Sequence, residues 1–375
     1  MKGYFNMSKS KLSTKNQYML KGKLAKQGYD WWWHSLTAIN RETGEAKPFF
    51  FEYYICNPSL AEDKPILGQH PDRKNDHKKP SYLMIKAGTW GSDSVQLHKF
   101  ISLNDVSISD NPIIKADGFS LNETSINGSI TVTQPMPYHM CDTGSITWNL
   151  SVYKEIPFDV GYGSSKLFRS INAFEMYWHA EGMKTKYEGT ITFNNETYDV
   201  IKDKSYGYAD KNWGTNFTSP WVWISSNRLF SRKKNAFLDN SVFDIGGGTP
   251  KVFGIPLKRK LLTKIYYEGK SYEFNFSKFW TLCKTKFKFT EVDKTVSWYV
   301  RQETVNAIFE ISLSCQKEDM LFINYESPDG YKRHNKLFNG GNGIGTLTLY
   351  EKRLGKTILI DEIEVTYAGC EYGEY

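Results

Sequence analysis

The sequence has little of what an α-helical, membrane-spanning or disulfide-stabilised protein requires. Its 375 residues include only five cysteines, all far apart, and no apolar run approaches the length of a membrane-spanning helix. No two cysteines have the spacing of a zinc site or of a redox-active pair. We therefore expect reduced, mostly buried thiols. The chain also opens without a secretory signal peptide, so we expect a cytoplasmic protein.

Motifs for metals, nucleotides and serine nucleophiles are missing from the sequence as well. The seven histidines show no paired zinc-ligand spacing. The glycine clusters 246–248 and 340–345 lack the spacing, the lysine and the following helix of nucleotide-binding loops. No Gly-x-Ser-x-Gly elbow is present. We expect neither a metal nor a cofactor, and barrel corners or bulges explain the glycines better.

The net charge of +7 comes from the start of the chain. Seven lysines, from Lys2 to Lys26, precede the first acidic residue, Asp30, and the remainder is balanced. Residues 1–17 are predicted to form a basic, mobile leader. The sequence has no zinc finger, RNP motif or basic recognition helix, which argues against a nucleic-acid partner. Two interpretations of the leader stay open: a solvated tail, or a peripheral contact with an anionic membrane.

Alternation of apolar and polar residues dominates the sequence and predicts antiparallel β-structure. The clearest half-buried strands are 146–152 and 311–314, while 49–56 has the composition of a strand buried on both faces. The pairs Asn127-Gly128 and Asn194-Asn195 predict hairpin turns. Many strands and few helices favour an all-β fold of antiparallel barrels or sandwiches with few short helices.

Strands of similar composition recur in the second half of the sequence. This second series starts after Gly214, at the segment Trp221-Val-Trp223. We therefore place a boundary near residue 215. It divides an N-terminal domain of residues 18–215 from a C-terminal domain of residues 216–375.

Three aromatic and polar strands contain the candidate functional residues, within 29–34, 174–181 and 205–214. Alternation gives each strand a polar face: Asp30, Trp32 and His34 in the first, Glu175, Tyr177, His179 and Glu181 in the second, and Tyr208, Asp210 and Asn212 in the third. If these faces converge, they form an aromatic-walled pocket with a few titratable groups. Such a pocket suits acid–base chemistry on a large apolar substrate. The alternative is that His34 and His179 are ordinary core histidines.

Asp210 differs from the other acidic residues because it lies among aromatic side chains rather than in a charged run. Partial removal from water raises the pKa of a carboxyl group towards the range useful for proton transfer. The alternative is a polar barrel rim, in which Asp210 and Lys211 are solvated.

The segment Tyr208-Ala-Asp-Lys-Asn-Trp-Gly214, followed by Ser219-Pro-Trp-Val-Trp223 and Asn227, resembles the signature of the tocopherol cyclase family. A looser similarity extends through Trp178 and into 241–244. That family is similar to carotenoid hydratases and to lipocalin-like Diels–Alderases, which implies two lipocalin-like β-barrel domains. This chain departs from the plant cyclases in its lysine-rich leader and in most of its C-terminal half.

The resemblance implies a cofactor-independent cyclase that acts on a hydrophobic isoprenoid or prenylquinol. Asp210 would protonate a prenyl double bond, and His179 or Glu175 would take the proton of the ring hydroxyl. The substrate-binding residues predicted with them are Trp32, His34, Tyr177, Trp178, Tyr208, Asn212, Trp213, Trp221, Trp223, Asn227 and Asp244. Two alternatives remain: a hydratase of isoprenoid or carotenoid double bonds, and a non-enzymatic carrier of hydrophobic ligands.

Overall fold

The structure is a computed structural model and describes residues 16–68, 78–109, 113–159, 174–249, 251–252, 255–256, 260–276, 278–323, 325–330 and 336–374. In these residues the chain forms antiparallel strands joined by turns and short helical segments. β-Branched and aromatic side chains favour this arrangement because they pack well on a pleated surface. The predicted all-β class of antiparallel strands with few short helices is confirmed.

The first part of the chain forms one antiparallel sheet of twelve strands. They are β1 (Tyr29–Asn40), β2 (Ala46–Cys56), β3 (Tyr82–Thr89), β4 (Val95–Ile101), β5 (Ser107–Ile108), β6 (Ile114–Ala116), β7 (Phe119–Leu121), β8 (Ser125–Val132), β9 (Gly144–Phe158), β10 (Met176–Phe193), β11 (Glu196–Val200) and β12 (Gly207–Gly214). The order is β4-β3-β2-β1-β11-β10-β9-β8-β7-β6-β5, and β12 pairs with both β1 and β10. The strand that contains Asp210 is therefore fixed along both of its edges.

The second part forms another antiparallel sheet of twelve strands and a separate two-stranded hairpin. The strands are β13 (Trp221–Ser226), β14 (Arg228–Ser231), β15 (Ala236–Phe237), β16 (Ser241–Gly248), β17 (Lys251–Val252), β18 (Ile255–Pro256), β19 (Lys260–Tyr267), β20 (Lys270–Phe274), β21 (Lys284–Val292), β22 (Thr295–Glu303), β23 (Ala307–Gln316), β24 (Leu321–Phe322), β25 (Lys336–Arg353) and β26 (Lys356–Glu374). The main order is β20-β19-β16-β13-β26-β25-β23-β22-β21, and β17 pairs with β18. β13 thus lies between β16 and β26.

Helical structure in the described residues is limited to very short segments. One α-helix, α1, spans Lys23–Lys26. The 3₁₀ segments are Pro58–Leu60, Leu103–Asp105, Pro137–His139, Lys202–Lys204, Phe279–Thr281 and Lys317–Asp319. Within the described part of the chain, no helix is long and apolar enough to cross a membrane.

One of the two predicted hairpin turns is confirmed and the other is wrong. Asn194 and Asn195 have φ values of 47° and 72° and connect β10 to β11, as a tight hairpin requires. Asn127 and Gly128 instead lie inside β8, where Gly128 pairs with Trp148 of β9. A Cβ at Gly128 would come within 2.5 Å of the Trp148 ring. The glycine is therefore required by close packing of the indole and not by a turn.

Three clusters of buried apolar side chains stabilise the fold. One belongs to the first sheet and one to the second. The third combines side chains from both parts of the chain, and we call it the seam; it includes Trp31, Trp33, Trp178, Trp223 and Tyr325. Aromatic side chains bury large areas, so the seam holds the two sheets together mainly through ring contacts.

Glycines allow tryptophan rings to approach closely at the seam. A Cβ at Gly246 would lie 2.6 Å from the ring of Trp178, and one at Gly341 would lie 2.3 Å from the ring of Trp90. The bulges expected for the glycine clusters are present as register shifts between β25 and β26, at 340–345. Gly246 and Gly341 have a different role, because a side chain at either position would overlap the indole ring of Trp178 or Trp90.

The chain crosses from one sheet to the other where the sequence predicts a boundary. β12 ends at Gly214 and β13 begins at Trp221. Because the seam joins both sheets, the division into domains of residues 18–215 and 216–375 stays a prediction. Most of the leader, residues 1–15, lies outside the described residues. Asn16 is buried, and its Nδ2 donates a hydrogen bond of 2.6 Å to Glu123, so the chain is docked from this residue onward.

Candidate active site

A small cavity of about 30 Å³ lies at the seam between the two sheets. Its walls are formed by Trp31, Trp33, Met176, Asp210, Asn212, Phe217, Thr218, Trp221, Trp223, Tyr325, Leu337, Asn339 and Glu371. Aromatic and aliphatic groups make up most of this surface, and two carboxyl groups interrupt it. An apolar enclosure with a few convergent polar groups is the usual form of a small-molecule site.

Asp210 lies on β12 and presents its carboxyl group to the cavity. Its Oδ2 atom accepts hydrogen bonds from Trp178 Nε1 at 2.8 Å and from the Tyr208 hydroxyl at 3.2 Å. Its Oδ1 atom has no hydrogen-bond partner among the described residues. Burial raises the pKa of Asp210 well above its usual range, and the nearby carboxyl of Glu371 adds to the effect. Burial therefore favours the protonated form of this carboxyl group.

A second buried carboxyl group, that of Asp244 on β16, is connected to Asp210 through Tyr208. The Tyr208 hydroxyl is 3.3 Å from Asp244 Oδ2, and Trp223 Nε1 donates to Asp244 Oδ1 at 3.2 Å. Burial raises the pKa of Asp244 well above its usual range, and the neighbouring carboxyl of Asp210 raises it further. A phenol carries one proton. Tyr208 can therefore donate to only one of the two carboxyl groups, Asp210 or Asp244, at a time, and its hydroxyl bridges them.

Glu371 is the second carboxyl group in the cavity wall, contributed by β26. Its oxygens accept hydrogen bonds from Trp221 Nε1 at 2.8 Å and from Asn339 Nδ2 at 3.3 Å. Burial raises the pKa of Glu371 to about 7. Near neutral pH this carboxyl therefore exists in both protonation states.

The aromatic wall is rigidly packed. Trp33 stacks on Phe50 with ring centroids 5.1 Å apart, and Trp31 lies 4.6 Å from the Tyr325 ring centroid. Tyr325 is itself fixed by a hydrogen bond of 3.0 Å from its hydroxyl to Glu52. Faces of electron-rich rings attract positive charge, so such a wall can stabilise a carbocation.

The structure brings together seven of the residues predicted from the sequence, in the cavity wall or in direct contact with it. They are Trp178, Tyr208, Asp210, Asn212, Trp221, Trp223 and Asp244. They come from β10, β12, β13 and β16, and the alternation along β12 places Tyr208, Asp210 and Asn212 on the same face, as predicted.

Five other predicted residues lie on the opposite face of the first sheet. They are Trp32, His34, Tyr177, His179 and Trp213. Register explains this placement, because directly paired residues share a face. Trp33 pairs with Asp210, whereas Trp32 and His179 pair with Lys211. The three polar faces therefore do not converge: those of β1 and β10 meet Lys211 and not Asp210.

The two histidines on that opposite face have partners there. His34 Nδ1 is 2.9 Å from the Tyr187 hydroxyl, and burial lowers the pKa of His34 well below its usual value. His179 Nε2 is 3.0 Å from Asn16 Oδ1. Both side chains thus belong to the interior of the first sheet, behind the wall that faces the cavity.

Glu175 and Asn227 also lie outside the cavity wall. The carboxylate of Glu175 is 3.7 Å from Lys251 Nζ, and its backbone carbonyl accepts a hydrogen bond of 2.9 Å from Thr215. Asn227 donates from Nδ2 to the carbonyl of Gly207 at 2.7 Å, which ties the beginning of β12 to the second part of the chain. Asn227 therefore supports the site from a distance.

Sequence reasoning missed Glu371, Asn339, Tyr325, Trp31 and Trp33 as wall residues. Trp31 and Trp33 alternate with the predicted Trp32 along β1 and therefore lie on its other face. One weak signal in the sequence marks Glu371: it is an acidic residue in segment 368–373, whose other residues are apolar or small. Among the described residues, no group of three or more histidine, cysteine or acidic side chains could hold a metal ion.

Glu371→Gln is expected to weaken the dependence of stability on pH. The pKa of this carboxyl is raised from 4.5 to about 7 on folding, so the folded protein retains a proton that the unfolded chain releases. Its stabilising contribution is complete below about pH 4.5 and is lost as the pH rises through about 7. Urea denaturation at a series of pH values should show a smaller loss of unfolding free energy in the variant, by on the order of 1–3 kcal/mol. Glu42→Gln, at an exposed position, is the control. An equal pH dependence of the unfolding free energy in the wild type, Glu42→Gln and Glu371→Gln would contradict the expectation.

Comparison with known proteins gives one family and several solved structures that align along most of the chain. The family described as tocopherol cyclase-like matches residues 62–374. Kievitone hydratase from Nectria haematococca aligns at 13% identity, with 95% of this chain and 93% of that chain covered and a TM-score of 0.46. CghA with Sch210972 aligns at 10% identity, with coverages of 93% and 89% and a TM-score of 0.44. No curated protein sequence gives a significant match.

Proposed function

Because the chain belongs to the tocopherol cyclase-like family, we propose that it is an enzyme that protonates a double bond of a hydrophobic isoprenoid or prenylquinol and closes a ring. One observation supports this most directly: the buried carboxyl group of Asp210, whose pKa is raised, faces a cavity with tryptophan walls. The substrate is a hydrophobic small molecule. The reaction moves protons only, so the proposal requires no cofactor.

Asp210 would deliver the proton from Oδ1. Its Oδ2 atom already accepts two hydrogen bonds, from Trp178 and Tyr208, so the proton resides on the other oxygen. That oxygen has no partner among the described residues and is available to an alkene in the cavity. Proton transfer forms a C–H bond and leaves a tertiary carbocation beside the Asp210 carboxylate.

The carbocation would be stabilised by the rings of Trp31, Trp33, Trp221 and Trp223. A cation over a desolvated aromatic face gains about 2 kcal/mol. Exclusion of water by the bound substrate would protect the cation from capture. Removal from water also strengthens the attraction between the cation and the new carboxylate.

Glu371 would complete the reaction as the proton acceptor. A hydroxyl oxygen of the substrate attacks the cation and forms the new C–O bond, and the hydroxyl proton passes to the Glu371 carboxylate. This assignment replaces His179 and Glu175, because neither side chain lines the cavity whereas Glu371 does. After product release, Glu371 would give up its proton to water and Asp210 would take one from water, which restores both carboxyl groups for the next turnover.

Hydration of the double bond is the second candidate function, and Asn212 favours it. Its side chain lines the cavity, and its Oδ1 atom has no partner among the described residues. A buried amide oxygen of this kind can hold one ordered water. That water would then capture the cation in place of the substrate hydroxyl.

The experiment that tests the proposal uses purified protein in deuterated water, with a prenylated hydroquinone and with a linear polyene as substrates. A cyclase converts the hydroquinone to a ring-closed product with one deuteron at the former alkene carbon. A hydratase gives an open alcohol with the same label. Tight binding of both compounds without any product would overturn the enzyme and leave a carrier as the better explanation.

A further inference from the structure

Three turns meet at one end of the second sheet. They are the 3₁₀ segment Phe279–Thr281 before β21, the turn 304–306 between β22 and β23, and the turn 353–356 between β25 and β26. Backbone hydrogen bonds join them: Val305 N donates to Thr281 O at 3.1 Å, and Lys352 N donates to Asn306 O at 2.8 Å. The turns therefore form one continuous surface with fixed geometry.

This surface exposes apolar side chains from all three turns. The exposed fractions are 63% for Trp280, 67% for Leu282, 49% for Val305 and 103% for Leu354. We call these four residues the turn surface. Clustering of large exposed apolar residues, rimmed by polar ones, marks an interaction site.

Basic side chains flank the turn surface. Lys284, Lys286 and Lys288 follow Leu282 along β21, which is an edge strand of the sheet, and all three are exposed. Lys356 is exposed in the same turn as Leu354. Lys286, Lys288 and Lys356 form no ion pair with a described residue, so their charges are free to act on a partner. The acidic groups nearby, Glu303 and Glu351, are already paired: Glu303 with Lys352 at 2.5 Å, and Glu351 with Arg353 at 2.5 Å.

We propose that the turn surface docks the protein on a bilayer that contains anionic phospholipids. Trp280, Leu282 and Leu354 would enter the boundary between head groups and acyl chains, where apolar and indole side chains are favoured. The lysines would contact the negatively charged head groups above them. A second copy of this chain fits less well, because two such surfaces would bring their unpaired lysines together.

The proposal is independent of the reaction at the seam. The turn surface belongs to the second sheet. It is separate from the basic leader, residues 1–17, which lies at the other end of the sequence. Membrane contact through the turn surface would place the enzyme beside a substrate that is dissolved in lipid.

The test compares the full-length protein with a variant that lacks the apolar tips, Trp280→Ser/Leu282→Asn/Leu354→Asn. Asparagine is chosen because Leu282 and Leu354 have φ values of 50° and 49°, a region that asparagine tolerates. The control, Ile201→Thr/Ile344→Thr, removes apolar side chains that are 43% and 58% exposed elsewhere on the protein. Melting temperatures verify that all variants fold.

Binding is measured by co-sedimentation with phosphatidylcholine vesicles, with and without phosphatidylserine. We expect the wild type and the control to bind only the vesicles with phosphatidylserine, and to bind less at high salt. The tip variant should lose at least about tenfold in partition coefficient. A second variant, Lys286→Gln/Lys288→Gln, should lose severalfold on the same vesicles.

Three results would overturn the proposal. The first is a wild type that stays in the supernatant with both kinds of vesicle. The second is a tip variant that binds like the wild type, with binding abolished instead by deletion of residues 1–15, which would assign the contact to the leader. The third is a dimer in solution that the tip substitutions dissociate while vesicle binding is unchanged, which would assign the surface to a second copy.

Discussion

Asp210→Asn is expected to abolish turnover while the protein stays folded. The amide oxygen of asparagine can accept the hydrogen bonds that Trp178 and Tyr208 donate, so the packing of the seam is preserved. An amide cannot release a proton to an alkene, so the carbocation no longer forms. Removal of one positioned acid typically costs about 10²–10⁴-fold in rate, and the loss should reach the upper end because the Asp210 side chain is buried.

The measurement is the rate of deuteron incorporation into a prenylated hydroquinone in deuterated water, together with the melting temperature of each protein. Asp117→Asn, at an exposed turn, is the matched control and should retain full rate. Equal rates of ring closure in wild type and Asp210→Asn would remove Asp210 from the mechanism. A low rate accompanied by a much lower melting temperature would instead show that Asp210 is needed for folding.

Lys211→Met is expected to cause the largest loss of stability. The Lys211 ammonium and the Asp30 carboxylate form a fully buried ion pair, and Lys211 Nζ lies 3.5 Å from the centroid of the Trp32 ring. Asp30 also accepts a hydrogen bond of 2.7 Å from the backbone N–H of Met19. Methionine conserves the volume of lysine but leaves the acid without its partner. Breaking a buried pair from one side costs about 3–5 kcal/mol.

Chemical denaturation measures this loss, and the double variant Lys211→Met/Asp30→Asn serves as the control. Asparagine keeps an acceptor for the Met19 N–H and removes the charge, so the double variant should recover more than half of the loss. The single variants Lys211→Met and Asp30→Asn each lose some unfolding free energy. If these two losses simply add in the double variant, the ion pair contributes no coupling energy and the explanation is wrong.

Asp210 and Lys211 are adjacent on β12, and we expect them to have different roles. Asp210 faces the cavity and would act on the substrate, while Lys211 faces the interior of the first sheet and balances Asp30. The segment that contains them therefore combines the proposed proton donor, Asp210, with one partner of a structural ion pair, Lys211. Separate effects on rate and on stability would confirm this division.

The sequence by itself determined the fold class and the local geometry of the key strand. Alternation of apolar and polar residues is a short-range property, so it gave the antiparallel strands and the opposite orientations of Asp210 and Lys211 along β12. The aromatic surroundings of Asp210 also indicated a desolvated acid, and the structure has this carboxyl buried with a raised pKa. Each of these features depends on residues close together in the chain.

Only the tertiary structure decided which faces meet. Both faces of β1 and β12 are buried, so the rule that polar residues face solvent cannot choose between them. Pairing register placed Trp33 beside Asp210 and sent His179 to the side of Lys211. Glu371 reaches the cavity from β26, about 160 residues away along the chain. Contacts over such a distance depend on how two sheets pack, and no local pattern in the sequence encodes them.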